Sequence, residues 1–147
     1  MLEHKHLLIR SEVKKPLSNE QDTITWLTKL VKKIDMNILA GPYASTVSKK
    51  GNKGLSGVVI IDTSHIAIHT WDETNPALIQ LDVYSCKHFK KSDVVECLEE
   101  LQPITIDYKY FDRETNFKEI PREDPGSFEK DLKHQQQIMN DNHNQSL

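Results

Sequence analysis

The chain has 147 residues, the size of one domain, and its 37% hydrophobic and 28% charged residues are typical of a globular protein. Its 19 Lys and Arg against 22 Asp and Glu give a net charge of −3 without a basic block, which disfavours nucleic acid as the main partner. No apolar run approaches the roughly 20 residues of a membrane helix, and the charged N-terminus does not resemble a signal peptide. We therefore expect a cytoplasmic protein, not bound to a membrane, whose Cys86 and Cys97 stay reduced.

Charge and apolar residues divide the sequence near residue 111. Residues 112–147 hold eight acids and five bases and include the polar stretches QQQ and NDNHNQS, whereas residues 1–111 hold 14 of each charge and most of the apolar side chains. We expect 1–111 to be one folded domain and 112–147 to be an acidic polar tail, largely disordered. A short helix over Phe128–Met139 is the alternative for part of the tail.

The domain is predicted to begin with a strand, His6–Val13, followed by an amphipathic helix. Ser18 and Gln21 fit a capping box at the start of this helix. Apolar side chains then recur at helical spacing, at Ile24, Leu27, Leu30, Val31 and Ile34.

The middle of the domain is dominated by extended segments. Met36–Val47 is predicted to be extended, with a kink or bulge at its Gly-Pro step. Leu55–Ile61 is β-branched and apolar, and both Ser64–Trp71 and Ala77–Cys86 alternate apolar and polar residues as strands do.

The last part of the domain predicts a second helix and a closing strand. Ser92 is the expected cap of that helix, whose apolar stripe contains Val94, Val95, Leu98 and Leu101. Ile104–Phe111 follows as a strand. The order β-α-β-β-β-α-β predicts an α+β, two-layer sandwich, a mainly antiparallel sheet with both helices on one face.

Two neighbouring strands of this sheet are each predicted to have one apolar and one chemically rich face. Their second faces combine on one surface His65, His69, Trp71, Gln80, Asp82, Tyr84 and Cys86. Ordinary solvated faces favour Thr, Lys and Glu, so this composition suits a functional site or a subunit interface, although a plain solvated face is the alternative.

Metal binding by this surface is not predicted. His65 and His69 lie four residues apart on a strand, which separates their Cα atoms by about 13 Å, too far for one Zn²⁺ ion bound at about 2 Å. A group of His69, Cys86 and Asp82 stays open as an alternative metal site. So does a nucleophilic pair of Cys86 and His69, although the local sequence does not look like a cysteine hydrolase.

The stretch GLSGVVIIDTSHIAIHTWDE, followed by LDVYSC, resembles the short, pyruvoyl-dependent S-adenosylmethionine decarboxylases of bacteria and archaea. The likeness covers about residues 5–111 and is most specific in the segment SHIAIHTW. It implies an α+β sandwich, a homodimer, and a proenzyme that cuts its own chain. The substrate it implies is a small molecule, S-adenosylmethionine, decarboxylated to the aminopropyl donor of spermidine synthesis.

The family chemistry requires a ketone, which no amino-acid side chain offers. Decarboxylation leaves a carbanion, and a pyruvoyl carbonyl joined to the substrate amine as a Schiff base accepts its electrons. The resemblance implies that the Ser64 hydroxyl attacks the Thr63 carbonyl, that the resulting ester is eliminated, and that hydrolysis leaves a pyruvoyl group. The chain is then cut between Thr63 and Ser64, with His69 as the base and Ser56 assisting.

The resemblance also assigns residues to the decarboxylation itself. Cys86 would protonate the decarboxylated carbon, and Trp71 and Glu73 would bind substrate, Glu73 through the ribose hydroxyls. Lys50 stands where the family has an aromatic residue that stacks on adenine, and Tyr43 is a candidate replacement.

Two further departures from the family pattern keep other functions open. Thr63 replaces the usual Glu before the cleaved residue, and Asp72 replaces a Pro. Thr63 and Asp72 keep open a non-catalytic, unprocessed paralogue, and Lys50 keeps open a related pyruvoyl decarboxylase acting on an amino acid such as arginine.

Overall fold

A seven-stranded sheet forms the frame of the computed structural model, which describes residues 2–122. Its strands are β1 (Lys5–Val13), β2 (Ile38–Val47), β3 (Gly54–Ile61), β4 (Ser64–Trp71), β5 (Ala77–Ser85), β6 (Pro103–Asp112) and β7 (Lys118–Glu119). They lie in the order β2-β3-β4-β5-β1-β6-β7, and every neighbouring pair is antiparallel. The strand that comes first in the chain therefore lies inside the sheet.

Two helices, α1 (Glu20–Lys33) and α2 (Lys91–Glu99), pack on one face of this sheet. The Trp26 indole of α1 donates a 2.9 Å hydrogen bond to the main-chain carbonyl of Cys97 in α2, which joins the helices. Beneath them lie buried strand residues, among them Leu7, Val59, Ile66, Ile68, Ile79, Leu81 and Val83. Burying each such side chain contributes about 1.5–3 kcal/mol. The prediction of an α+β sandwich with both helices on one face is confirmed.

The predicted order of elements lacked one strand between the helices. The segment expected to be extended is a full edge strand, β2, whose register against β3 shifts between Ile38 and Ala40 and again between Ala40 and Tyr43. Gly41 lies inside this irregularity with φ +89°, a conformation that glycine adopts without steric cost. The predicted kink or bulge is therefore present, but it bends a strand without ending it.

Both predicted helix caps were wrong. The side chain that caps α1 is Asn19, whose Oδ1 accepts a 2.8 Å hydrogen bond from the Asp22 backbone N–H, and not Ser18. Helix α2 begins after Lys90, which makes no side-chain capping bond, so Ser92 lies in the first turn. Ser, Asn and Asp are preferred about equally at the N-cap, so the sequence alone does not decide which of two adjacent candidates caps a helix.

The described part of the predicted tail contacts the sheet. Residues 118 and 119 form β7 against β6, the Arg113 backbone N–H donates to the His4 carbonyl at 2.7 Å, and Arg122 pairs with Asp107 at 2.9 Å. The expected helix over Phe128–Met139 lies outside the described residues, so the division at residue 111 stays a prediction. Within residues 2–122, neither helix has the length and apolar character needed to cross a membrane.

Candidate active site

The sheet face opposite the helices, called the outer face here, holds the chemistry-bearing side chains. In β4 the side chains of Ile66, Ile68 and Thr70 are buried, while His69 is exposed. Three neighbouring cross-strand rows of this face contain most of these side chains. They contain Ser56, His69, Gln80, Arg10 and Asp107; then Val58, Ala67, Asp82, Leu8 and Lys109; and then Ile60, His65, Tyr84, His6 and Phe111. The strand alternation thus brings the two histidines, Gln80, Asp82 and Tyr84 to one surface, as the sequence predicted.

The expected cleavage site lies at the turn between β3 and β4. Ser64 is the first residue of β4 and has φ +147°, a backbone conformation that L-residues rarely adopt. Holding a non-glycine residue there costs on the order of 1–3 kcal/mol. Strain is therefore stored at the peptide unit that the resemblance marks for cleavage.

The carbonyl beside this strained residue is held by Cys86. The Cys86 backbone N–H donates a 2.8 Å hydrogen bond to the Thr63 oxygen, and the Cys86 carbonyl accepts from the Glu3 N–H at 3.0 Å. Cys86 directly follows β5, and its side chain is half-buried. Thr63, Ser64 and Cys86 therefore form one group at one end of the sheet.

Ser85 belongs to this group and was not predicted. It is fully buried, it is the cross-strand partner of Ser64, and its Oγ donates to the Thr63 Oγ1 at 3.0 Å. The Lys87 backbone N–H donates to the same Ser85 oxygen at 3.0 Å. The signal in the sequence was a serine on the apolar side of an alternating strand, where a polar group needs a partner.

The second cysteine does not join the group. Cys97 lies in α2, packed against the core, and burial raises the pKa of its thiol to about 11. Cys97 is therefore a packing residue.

Ser56 and His69 form a second group near the other end of β4. They are cross-strand partners, and Ser56 Oγ lies 2.8 Å from His69 Nδ1. The His69 ring is 6.0 Å from the Trp71 ring, between centroids, at an interplanar angle of 34°. This pairing suits a histidine whose orientation is set by a hydroxyl.

The loop between β2 and β3 is hydrogen-bonded to residues beside this second group. Glu73 accepts backbone hydrogen bonds from Gly51 at 2.7 Å and Lys53 at 2.9 Å, and the Trp71 indole donates to Asn52 at 2.9 Å. A cavity of about 190 Å³ lies beneath, lined by Val47, Asn52, Gly54, Leu55, Ser56, His69, Thr70 and Trp71. Of the two predicted substrate-binding residues, Trp71 lines this cavity, whereas Glu73 contacts the loop beside it.

The two groups are far apart within one chain. His69 lies five residues beyond Ser64 on the same strand, which separates their Cα atoms by about 16 Å at about 3.3 Å per residue. The structure thus brings together Thr63, Ser64 and Cys86, and separately Ser56, His69, Trp71 and Glu73. A proton transfer between His69 and Ser64 of the same chain is out of reach.

Comparisons with known proteins agree with the sequence resemblance. The family model described as S-adenosylmethionine decarboxylase matches residues 8–114. The S-adenosylmethionine decarboxylase proenzyme of Clostridium botulinum (strain Langeland) is 38% identical over 85 residues, which cover 57% of this chain and 68% of that protein. The proenzyme of the same name from Picrophilus torridus is 32% identical over 71 residues, covering 47% and 53% of the two chains.

A solved structure shares the fold. The crystal structure of the adenosylmethionine decarboxylase from Aquifex aeolicus superposes with a TM-score of 0.57 at 24% identity, covering 84% of this chain and 96% of that one. The fold likeness and the match over most of the domain lead to one conclusion. The chain belongs to the S-adenosylmethionine decarboxylase family.

Proposed function

We propose that this protein cuts itself between Thr63 and Ser64 and then decarboxylates S-adenosylmethionine, giving the aminopropyl donor for spermidine synthesis. The observation that carries the proposal is the strained Ser64, with φ +147°, beside a Thr63 carbonyl that accepts a hydrogen bond from Cys86. The strain is relieved when the Ser64 peptide bond breaks.

Cleavage begins with attack of the Ser64 hydroxyl on the Thr63 carbonyl carbon. The C–N bond breaks, an ester forms, and the Ser64 nitrogen becomes a free amine. During the attack the Thr63 oxygen gains negative charge, and the Cys86 N–H at 2.8 Å is already aimed at it. Removal of the Ser64 α-proton then expels the Thr63 carboxylate, and water converts the remaining dehydroalanine into a pyruvoyl group with loss of ammonia.

The residues at this turn fit a pyruvoyl group. Once cut, residue 64 begins a new chain beside Cys86, whose backbone N–H contacts the Thr63 carbonyl and whose side chain is half-buried. The bound group supplies the electron sink for decarboxylation. Cys86 is the acid that delivers a proton to the product carbon.

The base that takes the Ser64 α-proton comes from a second copy of the chain. Within one chain His69 is about 16 Å from Ser64. The outer face also carries exposed apolar side chains for a partner to cover, at Leu8, Tyr43, Val58 and Ile60. Two copies stacked by their outer faces, with strands reversed, put the end of one β4 above the start of the other. His69, aligned by Ser56, then faces the partner's cleavage turn in a homodimer.

Substrate binding is assigned to Trp71 and Glu73. Glu73 holds the loop through its bonds to Gly51 and Lys53, and Trp71 holds it through Asn52. In this proposal the adenosyl group enters the cavity lined by Trp71, and Glu73, beside the loop, binds the ribose hydroxyls.

Intact mass of the purified protein tests the cleavage. Fragments 1–63 and 64–147, with the second carrying the pyruvoyl mass, are expected, whereas a single uncut species stable for days contradicts catalysis. Release of CO₂ from S-adenosylmethionine, compared with arginine and ornithine, then tests the substrate. A cut chain inactive on S-adenosylmethionine refutes the substrate assignment alone.

Lys50 favours a second candidate, a pyruvoyl decarboxylase of an amino acid such as arginine. It is exposed at the position where an aromatic residue would stack on adenine. Trp71 and Glu73, the residues assigned to the adenosyl group, are both retained beside this loop, so S-adenosylmethionine stays the first choice. Thr63 and Asp72 motivate a third, an unprocessed binding paralogue, which the intact mass also tests.

A further inference from the structure

Three potential metal ligands converge on the outer face, in the cross-strand rows that lie between Ser64 and the Ser56–His69 pair. His6 from β1, Asp82 from β5 and His65 from β4 place one ligand atom each so that all three lie within 4.8 Å of one another. All three side chains are half-buried, and His6 Nε2 directly contacts Asp82 Oδ1. The predicted exclusion of a metal concerned His65 with His69, which lie along one strand, whereas this cluster forms across three strands.

The sheet register explains why these residues meet. His6 and His65 both flank Tyr84 in the same cross-strand row, with their ring centroids 6.3 Å apart, and Asp82 precedes Tyr84 by two residues on the strand between them. The Asp82 carboxylate on β5 thus lies near two imidazoles that come from the strands on either side, His6 from β1 and His65 from β4. Rigid strands hold all three, as a metal site requires.

Two imidazoles and one carboxylate are a donor set for a divalent transition metal. Imidazole suits Zn²⁺, Cu²⁺ and Ni²⁺, and three protein ligands leave a fourth tetrahedral position on Zn²⁺ for a water molecule. Tetrahedral bonds of about 2.0–2.1 Å hold ligand atoms about 3.4 Å apart. The widest pair of ligand atoms therefore has to approach by at most about 1.4 Å, whereas His6 Nε2 and Asp82 Oδ1, already in contact, have to separate. Both changes are within reach of small side-chain rotations.

Arg113 sets the state of the cluster without metal. Its guanidinium stacks 4.1 Å from the centroid of the Tyr84 ring and places Nη1 3.1 Å from His6 Nδ1. A guanidinium donates only, so Nδ1 accepts and the His6 ring proton lies on Nε2, facing Asp82. The metal-free cluster is a chain of hydrogen bonds from Arg113 through His6 to Asp82.

We propose that His6, His65 and Asp82 form a binding site for a divalent transition metal such as Zn²⁺. The metal takes the lone pair of His6 Nε2, the ring proton moves to Nδ1, and the Arg113 N–H turns away from it. Arg113 is therefore a competitor of the metal, because its hydrogen bond favours the wrong tautomer. The site does not depend on self-cleavage or on decarboxylation.

Metal titration of the purified full chain tests the proposal. The tail histidines His134 and His143 are changed to Gln in every sample, and intact mass records the processing state separately. Calorimetry with Zn²⁺ is expected to give one ion per chain, and Co²⁺ to give visible absorption bands. Affinity should increase from Mn²⁺ through Co²⁺ to Ni²⁺, with no binding of Mg²⁺ or Ca²⁺. Binding of Mg²⁺ as tightly as Zn²⁺ would refute the site.

Variants assign the binding to these residues. His65→Ala and Asp82→Asn should each lose more than about 100-fold in Zn²⁺ affinity, beyond the 10–100-fold of outer-shell changes. His88→Ala is the matched control, because His88 pairs with the Glu3 carboxylate at 3.1 Å and lacks a second imidazole. Wild-type affinity in His65→Ala and Asp82→Asn overturns the proposal.

Arg113→Gln gives the sharpest test, since a merely structural arginine would not produce its expected effect. The amide oxygen can accept the Nδ1 proton that Arg113 opposes, so Zn²⁺ affinity should rise by about 10-fold or more. His65→Cys keeps a ligand and guards against misfolding in the alanine variant. It should still bind Co²⁺, with thiolate absorption added. Unchanged affinity in Arg113→Gln, or no Co²⁺ binding by a folded His65→Cys, overturns the assignment.

Discussion

At the scale of single residues, substitutions in the two groups of the candidate site are expected to impair different steps, decarboxylation for Cys86 and self-cleavage for His69. Cys86 contributes its backbone N–H to the Thr63 carbonyl and its thiol to the proposed proton transfer. Substitution to alanine keeps the first and removes the second. His69 contributes a side chain alone, held by Ser56 at 2.8 Å.

Cys86→Ala is therefore expected to process and yet to lose turnover. The N–H that stabilises the developing oxyanion is still present, so the 1–63 fragment appears. Decarboxylation falls by about 10²–10⁴-fold because the carbanion has no nearby acid. The measurement is CO₂ release per processed chain, with Cys97→Ala as the control that retains activity. Near-normal turnover in a processed Cys86→Ala protein rejects the role of the thiol.

His69→Ala should fail at the earlier stage. Without a base for the Ser64 α-proton, the chain stops at or before the ester, and hydroxylamine then cuts it after Thr63. Mass spectrometry before and after hydroxylamine treatment distinguishes a chain stopped at the ester from one that still has the peptide bond. Full processing of His69→Ala contradicts its assignment as base.

The Cys97 thiol should react slowly in the folded protein. Burial raises the pKa of the Cys97 thiol to about 11, so only about one molecule in a thousand carries the thiolate at pH 8. Alkylation of Cys97 in the folded protein is expected to be slow at pH 8 and to speed up tenfold per pH unit towards pH 10. Peptide mapping after iodoacetamide treatment measures this, with unfolded protein as the reference. Equal rates for Cys97 in the folded and unfolded protein would refute the burial argument.

At the scale of elements, Gly54 controls how closely β3 approaches β4. It has φ +158°, and a Cβ built on it would lie 1.8 Å from the Thr70 carbonyl oxygen. Gly54 is the first residue of β3, directly after the loop between β2 and β3, and it is the cross-strand partner of Trp71. Backbone would have to move before any side chain could fit.

Gly54→Ala is expected to lower the free energy of unfolding by about 2 kcal/mol or more, combining strain with a backbone clash. Gly51→Ala is the matched control, because Gly51 also has positive φ, +88°, but nothing lies within 4 Å of its Cβ position. The control should cost about 1 kcal/mol. Urea unfolding of both variants measures the difference, and equal losses would show that the close approach does not matter.

The elements also show what the sequence could and could not predict. Strand alternation in Ser64–Trp71 and Ala77–Ser85 predicted the two faces correctly, since its period is fixed by the pleat. The predicted cap of α1 was wrong because Ser18 and Asn19 are adjacent and similarly suited to capping, and only the backbone geometry selects Asn19. The cluster of His6, His65 and Asp82 depends on which strands become neighbours, and β1 lies next to β5 through long-range pairing that no local pattern contains.

At the scale of the whole molecule, strand alternation predicts which face a residue is on but not how far apart the two groups of the candidate site lie. Ser64 and His69 were predicted within one strand, yet a shared strand places them about 16 Å apart. If Ser64 and His69 have the proposed roles, this spacing implies that a single protomer is incomplete. The proposed homodimer has two shared sites, each of which takes Ser64 from one chain and His69 from the other.

Mixed dimers test this arrangement directly. The Ser64→Ala chain and the His69→Ala chain are each expected to stay uncut when expressed alone. Expressed together, one site of each mixed dimer combines the intact Ser64 of the second chain with the intact His69 of the first. In a symmetric dimer formed at random from equal amounts, about half of the His69→Ala chains enter such dimers, so up to about half of them should be cut. An affinity tag of distinct mass identifies which chain gives the 1–63 fragment.

The matched control replaces the Ser64→Ala partner with a chain that carries both Ser64→Ala and His69→Ala. Its mixed dimers contain no complete site, although the face that associates is unchanged from the first mixture. Cleavage should then disappear, because the only intact Ser64 faces a chain without its base. Cleavage in the first mixture alone supports a base donated between protomers. If the wild-type chain is cut and neither mixture is, the base acts within its own chain and the shared-site dimer is wrong.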